Sequence, residues 1–139
     1  MVRIRVTAQG TGTVSRVEQT KLRLPQLQAP VLRARRVRFD YDNQPIAVED
    51  VVLPLIRFPG LTASDGDLPD IIELARQQRL RLGRATERIS TVPANGEVAR
   101  HLRIALGADV VKLDRVIETD DGVPIEWRVS FSKMSCETG

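Results

Sequence analysis

Residues 36–49 read RVRFDYDNQPIAVE and residues 115–128 read RVIETDDGVPIEWR. Shifted by 79 positions, the two stretches share Arg-Val, the aspartate Asp42/Asp121 and Pro-Ile. Each stretch sits inside a pair of β-rich runs, 31–39 with 45–53 and 110–118 with 124–131. The first pair is separated by Asp40-Tyr41-Asp42-Asn43-Gln44, whose Asp and Asn tolerate a tight reversal. The second is separated by a segment containing Asp121-Gly122, and glycine accepts the positive φ that a hairpin turn demands. Two copies of one antiparallel hairpin predict a pseudo-symmetric domain with a cleft where the halves meet. The differences between the copies then mark the chemistry.

Outward from the hairpins, shorter β-like runs at 2–8, 13–17 and 88–92 supply further strands. Between the halves, Leu68, Ile71, Ile72, Ala75 and Leu80 recur at helical spacing, with Asp67 as the expected N-cap and Arg76, Arg79 and Arg81 at the opposite pole. A shorter helix follows Pro93-Ala-Asn-Gly, burying Val98 and Leu102 and stopping near Gly107. Both helices are expected to pack on one face of the sheet.

The chain of 139 residues is the length of one domain, and its 42% hydrophobic and 28% charged residues are ordinary for a water-soluble fold. No apolar run approaches the ~20 residues of a membrane span, the N-terminus MVRIRVTAQG is not a secretory signal, and a single cysteine, Cys136, forms no internal disulfide. A cytoplasmic location is expected. The net charge of +3 is unevenly placed: residues 1–38 carry nine Lys/Arg against Glu18 alone, whereas residues 39–75 carry eight acids against Arg57 alone. Five aromatic residues in the whole chain make a poor base-stacking platform, so a solvated or paired strand face is favoured over a nucleic-acid surface.

Alternate residues of a strand share a face, about 6 to 7 Å apart. Leu32, Ala34, Arg36 and Arg38 therefore line up, and the second copy offers Val111, Leu113, Arg115 and Ile117. Arg36 has a counterpart; Arg38 has none. Two forked guanidiniums on neighbouring rungs suit a phosphate or carboxylate, while the plainer alternative is an ion pair at the sheet edge. On the return strands Ala47, Glu49, Val51 and Leu53 match a set holding Glu126, Arg128 and Ser130, with Trp127 and Phe131 on the other side as core residues. Glu49 and Glu126 can accept hydrogen bonds from ligand hydroxyl or amide groups, or can simply pair with arginine.

Other chemistry is poorly supplied. One histidine, His101, read as a surface residue, makes no metal cluster and no base for a serine nucleophile. Cys136 has no activating neighbour in sequence. The run Gly10-Thr-Gly-Thr-Val lacks the Lys and helix of a P-loop, leaving its backbone N–H groups or Ser15 as contributors to a pocket.

Arg36-Val-Arg38 with Asp42, Pro45 and Glu49, LPLIRFPGL at 53–61, the Asp67-Leu-Pro-Asp-Ile-Ile helix start, and RHLRI, LDRV and DGVPIE in the second half together resemble the UTRA domain over residues 13–131. That domain is the effector-sensing module of GntR-family transcription regulators of the HutC type and shares its fold with chorismate lyase. The resemblance implies a single α+β domain over residues 1–139, chorismate lyase-like, with a central antiparallel sheet built from two pseudo-repeated hairpins and helices packed on it. It also implies a homodimer and a pocket for a small anionic metabolite, a sugar phosphate or an organic acid, with no cofactor, metal or catalysis. Residue by residue, Arg36 and Arg38 match the family's anion-binding arginines, Glu49 and Glu126 its acidic effector contacts, and Ser15 a serine of the first pocket loop.

Three departures accompany the match. Asp67 stands where sugar-phosphate sensors carry Ser at the central helix, and it would repel a phosphate. The first half has only residues 18–21 where the second half has a whole helix, so one pocket wall is expected to be trimmed. The N-terminal winged helix-turn-helix is absent, so DNA would be read only through a domain outside this chain. The alternative reading is an enzyme of the chorismate-lyase kind acting on a small dicarboxylate.

Overall fold

The computed structural model describes residues 3–63 and 68–134. Six strands form one sheet in the order β1-β2-β3-β6-β5-β4, every neighbouring pair antiparallel. The first half is β1 (Arg3–Thr13), α1 (Arg16–Leu22), β2 (Pro30–Phe39) and β3 (Pro45–Pro54). A 3-10 turn, Leu55–Arg57, and α2 (Ile71–Gln77) connect it to the second half: β4 (Leu82–Pro93), α3 (Gly96–Leu102), β5 (Asp109–Thr119) and β6 (Pro124–Lys133). The expected α+β architecture, with its two repeated hairpins, is the one observed. The repeat is larger than the hairpins, since each half is strand, helix, strand, strand.

The two hairpin turns solve one geometric problem with different residues. Asn43 in the first (φ 61°) and Gly122 in the second (φ 85°) take the left-handed position, open to Gly and Asn at little strain. Asp40 Oδ1 accepts from the Gln44 amide at 2.9 Å, and Thr119 Oγ1 accepts from the Val123 amide at 3.1 Å, so an aspartate and a threonine do the same work. Gly83 has a separate reason to be glycine: a Cβ there would lie 2.5 Å from the Thr119 carbonyl oxygen.

The helices also repeat. Ser15 caps α1 by accepting from the Glu18 amide, with Glu18 returning the bond in a capping box, and Asn95 caps α3 by accepting from the Val98 amide. Both helices are seven residues long and end on a left-handed arginine, Arg23 or Arg103. The first half is therefore not trimmed. The β-branched Val14 and Val17 suggest a strand at 13–17, but β1 runs on through Gly10 and Gly12 to Thr13, and the chain turns into α1 at Ser15. The expected strands at 2–8 and 88–92 are parts of the longer β1 and β4.

The centre of the sheet is buried on both faces, while the outer strands β1 and β4 are largely exposed. On the front, Ile71, Leu74 and Ala75 of α2 pack with Phe58 over Leu32, Ala34, Val51 and Leu53. On the back, Leu22 of α1 covers Val31 and Val52, while Val98, Ala99 and Leu102 of α3 cover Val37, Phe39 and Val48. Burying each such Val, Leu, Ile or Phe contributes about 1.5–3 kcal/mol. The expectation that the central and C-terminal helices share one face is thus corrected: among the described residues, α2 packs on the front and α3 on the back. β2 and β3 are apolar on both sides, so no alternation in sequence says which face a helical stripe will take. The central helix is also shorter than its periodicity implied. Asp70 caps it, the expected cap Asp67 lies outside the described residues, and Arg79 and Arg81 follow its end.

Candidate functional site

The strand register sets the site. Arg36 lies opposite Glu49, and Glu49 opposite Ser130, so one rung of the front face runs β2 to β3 to β6. The adjoining rung places Val51 opposite Arg128 and Arg128 opposite Arg115. Arg38 and Glu126 flank these rungs two residues along their own strands. Arg36, Arg38, Glu49 and Glu126 therefore share the front face across β2, β3 and β6, and Arg128 connects them.

Arg36 is 2% exposed and Glu126 1%. Arg36 Nη2 comes within 3.3 Å of Glu49 Oε1, but the contact lacks hydrogen-bond geometry: Arg36 Nε and Nη2, Glu49 Oε1 and Glu126 Oε1 have no hydrogen-bond partner among the described residues. Arg38 Nε donates to Glu49 Oε2 at 3.0 Å from a side chain that keeps 30% of its surface. Arg128 lies between the glutamates, Nη1 3.8 Å from Glu49 Oε2 and Nε 3.6 Å from Glu126 Oε1. Arg115 on the next strand pairs with Glu87 instead.

Burial dominates the electrostatics. It lowers the pKa of Arg36, against the pull of Glu49 and Glu126. Burial likewise raises the pKa of Glu126, with Arg128 and Arg36 opposing and Glu49 adding to the rise. Displacement of water disfavours the charged form of each, while the Arg36 guanidinium keeps its proton. Three guanidiniums thus surround Glu49 and a carboxyl held toward neutrality, an arrangement with surplus positive charge and unpaired buried donors. Such donors gain most from an acceptor brought in by a ligand.

Ser15 does not join this group. Its hydroxyl caps α1, which packs on the back of the sheet. The Gly10-Thr-Gly run is strand, with Gly10 opposite Arg33 and Gly12 opposite Val31. Arg128, left out of the expected site residues, is the member that sequence reasoning missed. The repeat itself was the available signal, because Arg128 is the counterpart of Glu49, 79 positions on.

The back of the sheet carries a concavity of about 710 Å³ bordered by Glu18 of α1 and floored by Val52, Trp127, Val129 and Phe131. Apart from Lys112, its charges are matched within the fold. Arg33 holds Glu18 through two hydrogen bonds, Arg35 holds Asp50 and Glu97, and Asp114 accepts from Trp127 Nε1 and Lys21. The front cluster has the buried polar atoms without hydrogen-bond partners, so it is the candidate site. These pairs engage three of the nine Lys/Arg of the first 38 residues, Lys21, Arg33 and Arg35, in keeping with a partly paired strand face. His101, expected at the surface, is half-buried beside Glu97.

The sequence model of the UTRA domain matches residues 2–135. The chain belongs to the UTRA domain family. This UTRA domain is similar in structure to a GntR-family transcriptional regulator from Enterococcus faecalis V583, with a TM-score of 0.82 and 24% identity over 94% of this chain and 92% of that one. It is equally similar to the effector domain of PhnF from Mycobacterium smegmatis, with a TM-score of 0.82 and 25% identity over 95% of this chain and 82% of that one. Against a longer PhnF chain, it spans 59% of the length. No curated protein matches it significantly in sequence. It is a ligand-binding regulatory domain of the kind carried by GntR-family transcription regulators. No helix among the described residues is long and apolar enough to cross a membrane.

Proposed function

We propose that this UTRA domain senses a small anionic metabolite, a sugar phosphate or an organic acid, held on the front face by Arg36, Arg38, Glu49 and Glu126 with Arg128 between them. The observation that carries the reading is a buried arginine, Arg36, with two nitrogens that have no hydrogen-bond partner among the described residues, beside the partly exposed Arg38. Arg38 and Arg36 take the anion; Glu49 and Glu126 hold hydroxyl or amide groups of the ligand body. Ser15, engaged in the α1 cap, is not among the contacts.

In this reading the domain works in the cytoplasm as the homodimeric effector module of a HutC-type regulator, and a winged helix-turn-helix outside this chain reads DNA. Control requires only that the ligand favour one of two dimer arrangements, with a coupling of ~1–3 kcal/mol. No bond of the ligand is made or broken. Fold likeness to an enzyme does not by itself carry activity.

A thermal-shift screen of phosphorylated sugars, dicarboxylates and amino-acid catabolites tests this, because a ligand of the folded state raises the melting temperature by mass action. At least one anionic compound is expected to stabilise the wild type and to lose that effect on Arg38→Ala. A compound that stabilises both equally places the anion elsewhere. Conversion of added chorismate to an aromatic product would replace the sensor with an enzyme.

A further inference from the structure

The two halves differ on the back of the sheet as well as on the front. Arg33 of β2 and Lys112 of β5 are the same position of the repeat, 79 residues apart, each two residues beyond a valine buried under a helix, Val31 or Val110. Arg33 finds its acid in Glu18, the third residue of α1, with Nε donating to Oε2 at 2.7 Å. The third residue of α3 is Val98, packed into the apolar cluster. The one acid of α3, Glu97, comes a position earlier and is taken by Arg35 and Arg100. Lys112 is therefore left without the partner that the repeat gives Arg33. It is half-buried, it lines the concavity, and its ammonium makes no ion pair or hydrogen bond among the described residues.

We propose that this concavity is a second ligand site, for a small carboxylate with a flat apolar body, the carboxylate on Lys112 and the body along Phe131, Val129 and Trp127.

Register and charge select that ligand. Lys112 lies opposite Phe131, and Val129 and Trp127 follow on the same face of β6, so an anion held by the ammonium carries its apolar body onto a floor about 13 Å long at the usual strand spacing. Trp127 is already fixed in place: its Nε1 donates to Asp114 at 2.9 Å, and Lys21 Nζ lies 5.7 Å from its ring centroid. A wall that needs no ordering on binding loses less affinity to entropy. The other charges of the lining are engaged, Arg33 with Glu18, Arg35 with Asp50 and Asp114 with Lys21. One free ammonium thus selects one negative charge, and a carboxylate there gains a charge-assisted hydrogen bond. The volume of about 710 Å³ and an apolar lining with few placed polar groups are those of a small-molecule site. Because side chains alternate along β6, this floor lies on the opposite face from Glu126, Arg128 and Ser130, and the site is separate from the front cluster.

Trp127 is the one tryptophan of the chain and part of the floor, so its fluorescence reports occupancy directly. Titration of the full chain with hydrocinnamate, a phenyl ring on a short carboxylate, is expected to change that emission saturably. Affinity is expected to fall about tenfold or more in Lys112→Gln, the loss of one hydrogen bond to a charged group, and as far for the neutral hydrocinnamamide on the wild type. Lys112→Arg and Arg38→Ala are expected to bind hydrocinnamate as the wild type does. No saturable response, an equal response to the amide, or one indifferent to Lys112→Gln with an unchanged circular dichroism spectrum overturns the proposal. A response lost in Arg38→Ala overturns it by placing the acid on the front face, and an emission change brought on by raising protein concentration alone overturns it by giving this face to a second copy. The front-face reading stands or falls separately, on Arg38→Ala and its own ligand.

Discussion

Glu49 and Arg128 are the same position of the repeated hairpin, and they meet at the seam between the halves, Arg128 Nη1 3.8 Å from Glu49 Oε2. The pseudo-two-fold axis passes between β3 and β6, so a residue near it comes close to its own counterpart. Two identical charges could not be buried there together. Arg128→Glu restores the symmetry and packs three carboxyls into the seam, an uncompensated burial worth about 3–5 kcal/mol. Urea denaturation should show a loss of that order; a loss below about 1 kcal/mol would mean that the seam is open to water.

Arg36 and Arg38 differ in burial, and that difference separates stability from binding. Removing Arg36 leaves Glu49 buried with less compensation, so Arg36→Ala is expected to destabilise by about 3–5 kcal/mol. Arg38, partly exposed, is expected to cost no more than about 1 kcal/mol on mutation to Ala while abolishing ligand stabilisation. Denaturation curves with and without a stabilising anion compare the two; equal destabilisation would erase the distinction.

Glu126 predicts a pH dependence. Burial raises its pKa above the usual value of about 4.3, so in the interval between the two the folded state holds a proton that the unfolded chain has lost. Stability therefore declines as pH rises from the usual value through the raised one. Glu18 acts oppositely: hydrogen bonding to Arg33 lowers its pKa, and its contribution is lost on acidification below the usual range. Glu126→Gln is expected to flatten the decline on the alkaline side and leave the acid limb unchanged. Unfolding free energies across a pH series decide this, and parallel curves for the two proteins would count against it.

Ser15 is predicted to matter for stability alone. Ser15→Ala removes the α1 cap, a loss of about 1 kcal/mol, as does Asn95→Ala at the equivalent place in α3. Neither is expected to change ligand affinity, which a titration of any stabilising anion measures directly. A large affinity loss for Ser15→Ala with α1 intact would bring that residue back to the site.

Part of the candidate site was readable because side chains alternate along a strand, which puts Arg36 and Arg38 on one side. The turn alone did not fix the pairing: with Phe39 opposite Pro45 a regular hairpin would set Arg36 opposite Val48, and a register shift between Arg38 and Phe39 sets it opposite Glu49 instead. Arg128 was harder, since its place depends on β3 pairing with β6, a contact between halves that no turn dictates. The first helix was hidden by Val14 and Val17, whose β-branched side chains read as strand although one is buried beneath α1 and the other is solvent-exposed on it. The faces taken by the helices were not readable at all, because β2 and β3 present apolar residues to both.

The amino-acid order alone determined the duplicated hairpins, their turns and the line of charge along β2, since these follow from alternation and from residues that tolerate a left-handed backbone. Only the tertiary structure decided that the two halves join through β3 and β6, that Ser15 belongs to the back and that Arg128 stands between two glutamates. Those outcomes depend on pairing between segments far apart in the chain. There the free energy comes from burial and interstrand hydrogen bonds across the whole sheet, and no local preference specifies the partner.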